Sequence, residues 1–295
     1  MLKDSRKVNP LNILNSTVNM VDCGYIANWL AGEIRKHRTE SEKFTRQLIV
    51  TGFHGLYYAH RHPDYFACGE QCDLWVPDSI APVLIARWRG MRNVRRTPGM
   101  ELMEQFFDLA EREGYSNYFY GDRQETLERL EIELHKRWPK LRIVGMYSPP
   151  YRRLTDAEEA EHVDRINAAK PDVLWVGLGL PKQDLWIFRN KHRLTVPVAS
   201  GVGAAFGFFA GTTPRAPMFL RRCGLEWLYM LVSRPRRTWK RVLLDGSGFV
   251  CAVMREEIAR YFNKTSTERP FGRRLRQSIR GKIFQQNLYG KAVRK

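Results

Sequence analysis

The sequence contains no continuous apolar run of about 18 residues, the length that a helix needs to cross a bilayer. Its first residues, MLKDSRKVNPLNILNS, also lack the uninterrupted apolar core of a secretory signal peptide. We therefore expect neither a membrane span nor a signal peptide. Any contact with a membrane should be peripheral.

Cysteines are few, and their number is odd. The five residues show no spacing typical of a disulfide framework, which indicates a reducing, cytosolic compartment. One group has the form H-x-H-x5-C-x3-C, but no second closely spaced cysteine pair accompanies it, so we predict no zinc site and no metal. The residues of that group are His60, His62, Cys68 and Cys72.

Several nucleotide-binding motifs are also missing. There is no Walker loop, and no G-x-G-x-x-G follows the first predicted strand. No D-x-D stands at the end of a predicted strand, so a glycosyltransferase that bridges its diphosphate with a metal ion is not supported. No cofactor is predicted.

Positive charge is abundant, and it is concentrated in one part of the chain. The formal net charge is +18, and the residues from Pro214 onward hold 20 Lys and Arg against 5 Asp and Glu. The first 213 residues therefore carry only about +3. The partner of this basic region should be anionic, which leaves phospholipid, a lipid diphosphate or nucleic acid open.

Short β-rich runs alternate with longer helical patterns, an order that predicts a Rossmann-like parallel sheet with helices on both faces. We predict an α/β domain over 1–213 and a basic amphipathic helical appendage over 214–295. The predicted strands are Gln47–Thr51, Asp73–Pro77, Asn117–Tyr120, Leu141–Met146, Asp172–Val176 and Pro197–Ser200, and the clearest helices are Met100–Glu113, Arg123–Trp138 and Thr155–Ala169.

Glycines follow several predicted strands, as in α/β proteins that bind small molecules at the carboxyl edge of the sheet. Glycine lets the backbone approach a ligand closely. Lys182 follows one of these turns at the start of a helix, where free N–H groups and an added positive charge favour an anion. The glycines are Gly121, Gly177, Gly179 and Gly201.

Three polar side chains that follow predicted strands or precede a predicted helix are candidates for catalysis or substrate binding. Asp78 is placed to deprotonate a hydroxyl, although it could instead cap a helix starting at Ser79. Thr51 could bond a substrate hydroxyl or simply complete a turn. Arg96 could grip a diphosphate or be a solvated surface arginine. A role for His54 as an acid or base is weaker.

The basic region mixes tryptophan and aliphatic residues with arginine. Such a pattern favours binding at a membrane interface, although a helix packed on the main domain with a solvated basic face would look similar. Its aromatic and aliphatic positions include Trp227, Tyr229, Trp239, Val242, Leu243, Phe249 and Val250.

Three segments together resemble a known family. They are VGLGLPKQDLW, GVGAAFGFFAGTTPRAP and GLEWLYMLVSRPRR, and VPDSI and RRTPGMEL agree with shorter motifs of the same family. From these residues the chain is identified as a member of the WecG/TagA/CpsF glycosyltransferases. The resemblance covers about Gln47 to Arg241.

The resemblance implies an inverting, metal-independent transfer from a UDP-sugar to a polyprenyl-diphosphate-linked saccharide, in polysaccharide or exopolysaccharide synthesis. It implies a cytoplasmic protein held peripherally at the inner face of the membrane, and leaves a homo-oligomer open. Asp78 matches the family's proposed base, and Thr51, Arg96 and Gln183 match substrate-site residues. The matching basic positions of the appendage are Arg237 and Lys240, beside Arg234 and Arg241.

The chain departs from the family's pattern at four positions. Phe53 stands where asparagine is usual, Ser79 replaces glycine, Met230 stands where arginine is frequent, and Asp184 replaces glutamate. Phe53 and Ser79 make glucose or glucuronic acid alternatives to N-acetylmannosamine as the donor sugar. A catalytically inactive relative that acts as a binding subunit, and a nucleic-acid-binding protein, are the competing hypotheses.

Overall fold

The computed structural model describes residues 8–40, 44–233 and 235–268. A short antiparallel hairpin, β1 and β2, precedes a parallel sheet of six strands. The sheet order is β4-β3-β8-β7-β5-β6, which confirms the predicted fold class. The strands are β1 (Pro10–Ile13), β2 (Ser16–Asn19), β3 (Arg46–Thr51), β4 (Leu74–Pro77), β5 (Ser116–Gly121), β6 (Arg142–Tyr147), β7 (Val173–Gly177) and β8 (Val198–Gly201).

Helices connect the strands and continue beyond the last one. Those within the α/β region are α1 (Cys23–Thr39), α2 (Phe53–Arg61), α3 (Pro63–Glu70), α4 (Ile80–Trp88), α5 (Gly99–Glu113), α6 (Gln124–Arg137), α7 (Asp156–Ala169), α8 (Lys182–Asn190) and α9 (Ala205–Phe209). After it come α10 (Met218–Arg222), α11 (Glu226–Ser233), α12 (Pro235–Trp239), a π-helical segment (Lys240–Asp245) and α13 (Gly246–Glu268).

Local sequence explains where several helices begin and end. Thr155 and Glu158 form the capping box that the pattern predicts at the start of α7. Gly114 ends α5 in the left-handed conformation, with φ at 70°. The hairpin and α1 are additions that the sequence analysis did not predict. Asp22 caps α1 by accepting a hydrogen bond from the backbone N–H of Tyr25.

The sheet is buried between two helical layers. One core cluster joins the sheet to α1, α5, α6 and α9, and a second joins it to α7 and α8. Successive side chains of a strand point to opposite faces, so neighbouring residues belong to different clusters. In β7, for example, Trp175 belongs to the first cluster, whereas Leu174 and Val176 belong to the second.

The chain leaves neighbouring strands toward opposite faces. β7 continues into α8, whereas β5 and β8, on either side of it, continue into α6 and α9 on the other face. Such a change of direction opens a crevice at the carboxyl edge of a parallel sheet, where α/β proteins bind their ligands.

The described residues divide into two compact units, one ending at Gly246 and the other starting at Ser247. The first unit therefore contains α10, α11, α12 and the π-helical segment together with the sheet. The boundary at 213/214 between a catalytic domain and an appendage stays a prediction. None of the described helices is both long and apolar enough to span a bilayer.

Candidate active site

The residues that the sequence singled out lie along one edge of the sheet. They stand at or just after the carboxyl ends of five consecutive strands, β4, β3, β8, β7 and β5. At about 4.8 Å between neighbouring strands, this edge is about 19 Å long. In the order of the strands, the residues are Asp78, Thr51, Gly201, Gly177 and Gly121.

Asp78 bridges β3, β4 and α5. Its backbone N–H donates to the carbonyl oxygen of Thr51 at 3.1 Å, and its Oδ1 accepts from the N–H of Gly99 at 3.1 Å. Gly99 is the first residue of α5, and Ser79 is the N-cap residue of α4. The alternative that Asp78 caps the helix following it is therefore wrong, because its carboxylate meets the start of a different helix.

The Asp78 carboxyl is partly buried, and burial raises its pKa to about 6. The hydrogen bond from Gly99 and the positive charges of Arg96 and Arg241 act in the opposite direction, whereas Glu226 raises the pKa further. A carboxylate with such a pKa is ionised at neutral pH and is a stronger base than an exposed aspartate.

Thr51 is buried at the end of β3. Its side chain lies tightly against α2, because a Cβ added to Gly55 would come within 2.2 Å of its Oγ1. Beside it, the backbone N–H of Phe53 donates to Oγ of Ser79 at 3.2 Å. Two positions at which the chain departs from the family's pattern are therefore in direct contact, next to Asp78.

Arg96 is held at the same end of the sheet. The N–H of Thr97 donates to the carbonyl oxygen of Pro77, and the Thr97 hydroxyl donates to the carbonyl oxygen of Val21, each at 2.6 Å. The Arg96 guanidinium pairs with Glu226 of α11, with 2.9 Å between Nη1 and Oε2.

Two further arginines lie near this pair, and the sequence analysis missed both. Arg215 donates to Oε1 of Glu101 at 3.1 Å, and Nη1 of Arg221 lies 3.6 Å from the same oxygen. Burial, together with the neighbouring charge of Arg221, lowers the pKa of Arg215. The Nε of Arg221 has no hydrogen-bond partner among the described residues. Partly buried cations that crowd one another favour an anionic ligand.

The sequence offered one signal for these arginines. They lie at the start of the basic region, within and just after the motif GTTPRAP. Their convergence on Glu101 joins residues more than 100 positions apart in the chain, so local patterns could not reveal it.

Gln183 is buried at the first turn of α8, and its Oε1 accepts from the N–H of Gly203 at 3.0 Å. Gly201 packs closely against it, because an added Cβ would lie 2.7 Å from Cγ of Gln183 and 2.4 Å from Oδ1 of Asp184. Asp184 is fully buried, and the hydroxyl of Tyr65 donates to its Oδ2 at 2.6 Å. Burial raises the pKa of Asp184 to about 7.

Backbone lies close to backbone where β5 and β7 end. Gly121 and Gly177 are register partners, and a Cβ on Gly121 would lie 2.7 Å from the carbonyl carbon of Gly177. Gly121 has φ at +121° and Gly179 has φ at +77°, both in the region that favours glycine.

The remaining predicted residues are exposed or lie outside the described atoms. Lys182 is exposed, with its ammonium 5.3 Å from the ring centroid of Tyr151. Lys240 is also exposed and lies over its neighbour Trp239. Arg234 and the side chain of Arg237 lie outside the described part of the chain.

Arg241 acts on two groups of the site, because its charge lowers the pKa of both Asp78 and His54. Nδ1 of His54 lies 3.1 Å from Oδ2 of Asp245 in the π-helical segment. Burial is the main reason that the pKa of His54 is lowered. The π-helical segment therefore meets the start of α2 beside the carboxyl ends of β3 and β4.

Among the described residues, no three histidine, cysteine or carboxylate side chains lie close enough together to hold a metal ion. The cysteines considered for zinc, Cys68 and Cys72, are buried, and burial raises the pKa of both thiols. His62 stacks on Tyr58, with 3.9 Å between the ring centroids.

Comparison with known families decides which family the chain belongs to. The family model described as "Glycosyl transferase WecG/TagA/CpsF family" matches residues 11–263. The chain belongs to the WecG/TagA/CpsF glycosyltransferase family. The match extends beyond the region of about Gln47 to Arg241 predicted from the motifs, and it includes nearly all of the hairpin, α1 and most of α13.

Curated relatives agree with membership of this family. The chain is 33% identical over 205 residues to an N-acetylglucosaminyldiphosphoundecaprenol N-acetyl-β-D-mannosaminyltransferase of Bacillus spizizenii. The aligned region covers 68% of this chain and 76% of that protein. A Staphylococcus aureus protein with the same name is 30% identical over 185 residues, covering 63% of this chain and 69% of that protein.

Proposed function

We propose that this chain transfers a sugar from a UDP-sugar to a saccharide carried on a polyprenyl diphosphate, with inversion at the anomeric carbon and without a metal ion. The reaction would take place at the cytosolic face of the membrane, in the synthesis of a bacterial surface polysaccharide or exopolysaccharide. The names of the relatives, which refer to a diphosphoundecaprenol acceptor and a mannosaminyl donor group, support this class of reaction.

The observation that carries the proposal is the setting of Asp78. Its carboxylate has a pKa of about 6, lies at the carboxyl edge of the sheet and is affected by the positive charges of Arg96 and Arg241. In the proposed step, the carboxylate takes the proton of the acceptor hydroxyl while the hydroxyl oxygen attacks the anomeric carbon. The bond from that carbon to the diphosphate breaks, and UDP leaves with the bonding electrons.

The departing diphosphate needs positive charge around it. The positive charges of Arg96 and Arg241 both act on Asp78. Arg215 and Arg221 share Glu101, so they carry a net positive charge that a diphosphate would neutralise. Guanidinium groups that are fixed before the reaction stabilise such a charge without reorganisation.

We expect Phe53 and Ser79 to affect the choice of donor sugar. They are bonded to each other beside Asp78, and they replace the residues usual in the family. A phenyl ring in place of an amide cannot form a hydrogen bond to a sugar. The donor screen therefore includes the UDP-sugars of glucose and glucuronic acid as well as that of N-acetylmannosamine.

A donor screen with the purified chain tests the proposal. UDP release is measured from UDP-glucose, UDP-glucuronate and UDP-N-acetylmannosamine, with and without a polyprenyl-diphosphate-linked acceptor, in the presence of EDTA. Acceptor-dependent release from one donor is the expected result. If no donor gives release with acceptors of several kinds, the chain is an inactive relative. Release that EDTA abolishes would contradict the metal-free mechanism.

A further inference from the structure

The outer face of α4 is an unusual surface for the α/β region. α4 buries Pro82, Val83 and Ala86, whereas Leu84 is 54% exposed and Trp88 is 82% exposed. Residues four apart lie on the same side of a helix, so these two apolar side chains project together. Tryptophan buries most of its surface in ordinary folds, and this exposure therefore indicates a surface that binds something.

The charged residues of the segment that contains α4 all have one sign. Between Ser79 and Met100 the sequence contains five arginines and no aspartate or glutamate. Arg87 donates to the carbonyl oxygen of Val94, and Arg96 pairs with Glu226. Arg92 is exposed to solvent and makes no ion pair within the described ranges. The exposed apolar side chains of α4 are therefore followed directly by a cationic segment.

The position of α4 connects this face to the site. Its N-cap residue, Ser79, directly follows Asp78. The turn between α10 and α11 packs on the first residue of α4, because a Cβ added to Gly224 would lie 2.9 Å from Cγ1 of Ile80. α10 and α11 themselves expose further large apolar side chains, which are Met218, Phe219, Trp227, Leu228 and Val232.

We propose that the face of α4 formed by Leu84 and Trp88, together with Arg92 in the segment after the helix, docks on the surface of an anionic phospholipid bilayer and so holds the catalytic edge of the sheet against the membrane. This contact is separate from the basic C-terminal region. The argument rests in part on the proposed function, because a lipid-linked acceptor brings its reacting sugar to the bilayer surface.

Two physical arguments favour a bilayer over other occupants. A tryptophan with a leucine one turn away suits the boundary between acyl chains and headgroups, where an aromatic ring is partly in apolar surroundings and cationic neighbours meet anionic lipid. A second copy of the chain would fit poorly, since a two-fold contact places the same patch on itself and sets unopposed arginines against each other.

Vesicle sedimentation of the full chain tests the surface directly. Leu84→Ser and Trp88→Ala should each weaken binding to phosphatidylglycerol-containing vesicles by roughly tenfold, and Arg92→Gln should weaken it by about fivefold, less at high salt. Ile132→Ser on α6 is the matched control for Leu84→Ser, because Ile132 is 56% exposed. Arg129→Gln, an exposed arginine on the same helix, is the control for Arg92→Gln.

Turnover with two acceptors separates docking from catalysis. The α4 variants should lose turnover on a vesicle-embedded acceptor and retain it on a short-chain acceptor in free solution. If wild-type protein transfers sugar to neither acceptor but the α4 variants still weaken vesicle binding, the proposed function fails and the docking surface stands.

Unchanged vesicle binding by Leu84→Ser and Trp88→Ala would overturn the docking surface. Weaker self-association of Trp88→Ala, with unchanged vesicle binding, would overturn it too and assign the face to a second copy. The docking surface would also be overturned if the wild type bound nucleic acid more tightly than vesicles and Trp88→Ala lost that nucleic-acid binding.

Discussion

Nη1 of Arg96 lies 2.9 Å from Oε2 of Glu226, across 130 positions of the sequence. Glu226 is therefore paired with a guanidinium that the proposed reaction needs for binding the diphosphate. The negative charge of Glu226 also raises the pKa of Asp78. One carboxylate of α11 thus acts on both the base and the cation of the candidate site.

Glu226→Gln should lower the pKa of Asp78, because it removes a negative charge and leaves the positive charge of Arg96 less compensated. The base then stays ionised at lower pH, so the acid limb of the kcat/KM profile should move to lower pH by about half a unit to one unit. Glu133→Gln, which alters an exposed pair with Lys136 on α6, is the control. An unshifted acid limb would show that Asp78 is not the group that titrates.

Asp78→Asn should lower turnover by about 100-fold or more, because the amide cannot accept the proton of the acceptor hydroxyl. The amide oxygen can still accept the hydrogen bond from Gly99, so the fold around β4 should be kept. Binding of the UDP-sugar, measured by calorimetry, should be nearly unchanged. Turnover close to that of the wild type would remove Asp78 from the mechanism.

The same substitution should change how stability depends on pH. The folded-state pKa of Asp78, about 6, is higher than the usual value for aspartate. Protonated Asp78 therefore favours folding at pH values below about 4, and this contribution is lost as the pH rises through about 6. Asp78→Asn should be more stable than the wild type at pH 8, by up to about 3 kcal/mol, and the difference should shrink at pH 5. Thermal unfolding across this range measures it, and a variant less stable at pH 8 would contradict the burial argument.

Gly201→Ala should disturb Gln183, because the new Cβ would lie 2.7 Å from both Cγ and Nε2 of that side chain. We expect a loss of roughly 1–3 kcal/mol in unfolding free energy and a higher KM for the donor. Gly32→Ala is the matched control, since nothing lies within 4 Å of its added Cβ in α1. That control should stabilise the chain by about 0.5–1 kcal/mol. Equal effects of the two substitutions would argue against the close packing at Gly201.

Tyr65→Phe should raise the pKa of Asp184, because it removes the hydroxyl that donates to Oδ2 and so leaves the carboxylate less stabilised. The buried carboxyl, with one hydrogen-bond donor fewer, should reduce stability by about 1–3 kcal/mol at pH 8, and by less at pH 5, where it is protonated. Tyr25→Phe on α1, a more exposed tyrosine, is the control. A loss of stability that does not change with pH would show that the Tyr65 hydroxyl does not act through the charge of Asp184.

Much of the fold was predictable because its signals are local. Each of the six predicted parallel strands begins and ends within about one residue of an observed strand, and the helix over Gly99–Glu113 follows its apolar period. The hairpin and α1 were missed. Strands β1 (PLNI) and β2 (STVN) mix polar with apolar residues, and α1 mixes charged residues into its apolar stripe, so neither the hairpin nor α1 gives a strong periodic signal.

Some residues of the candidate site were predictable from local sequence, and others were not. Asp78, Thr51 and Gln183 lie directly after or beside strand ends, and the parallel direction of the strands gathers them at one edge. Arg215, Arg221 and their shared partner Glu101 come from distant segments. Such a contact depends on how helices pack across the sheet, which the sequence does not state.

The sequence by itself determined the elements, the family and the chemical type of each residue at the carboxyl edge, since periodicity, glycine turns and motifs are properties of neighbouring positions. Only the tertiary structure decided that the carboxylate of Asp78 accepts from Gly99, that Glu226 pairs with Arg96, and that Trp88 projects into solvent. The physical reason is that hydrogen bonding, charge interaction and burial depend on distances between segments that are far apart along the chain.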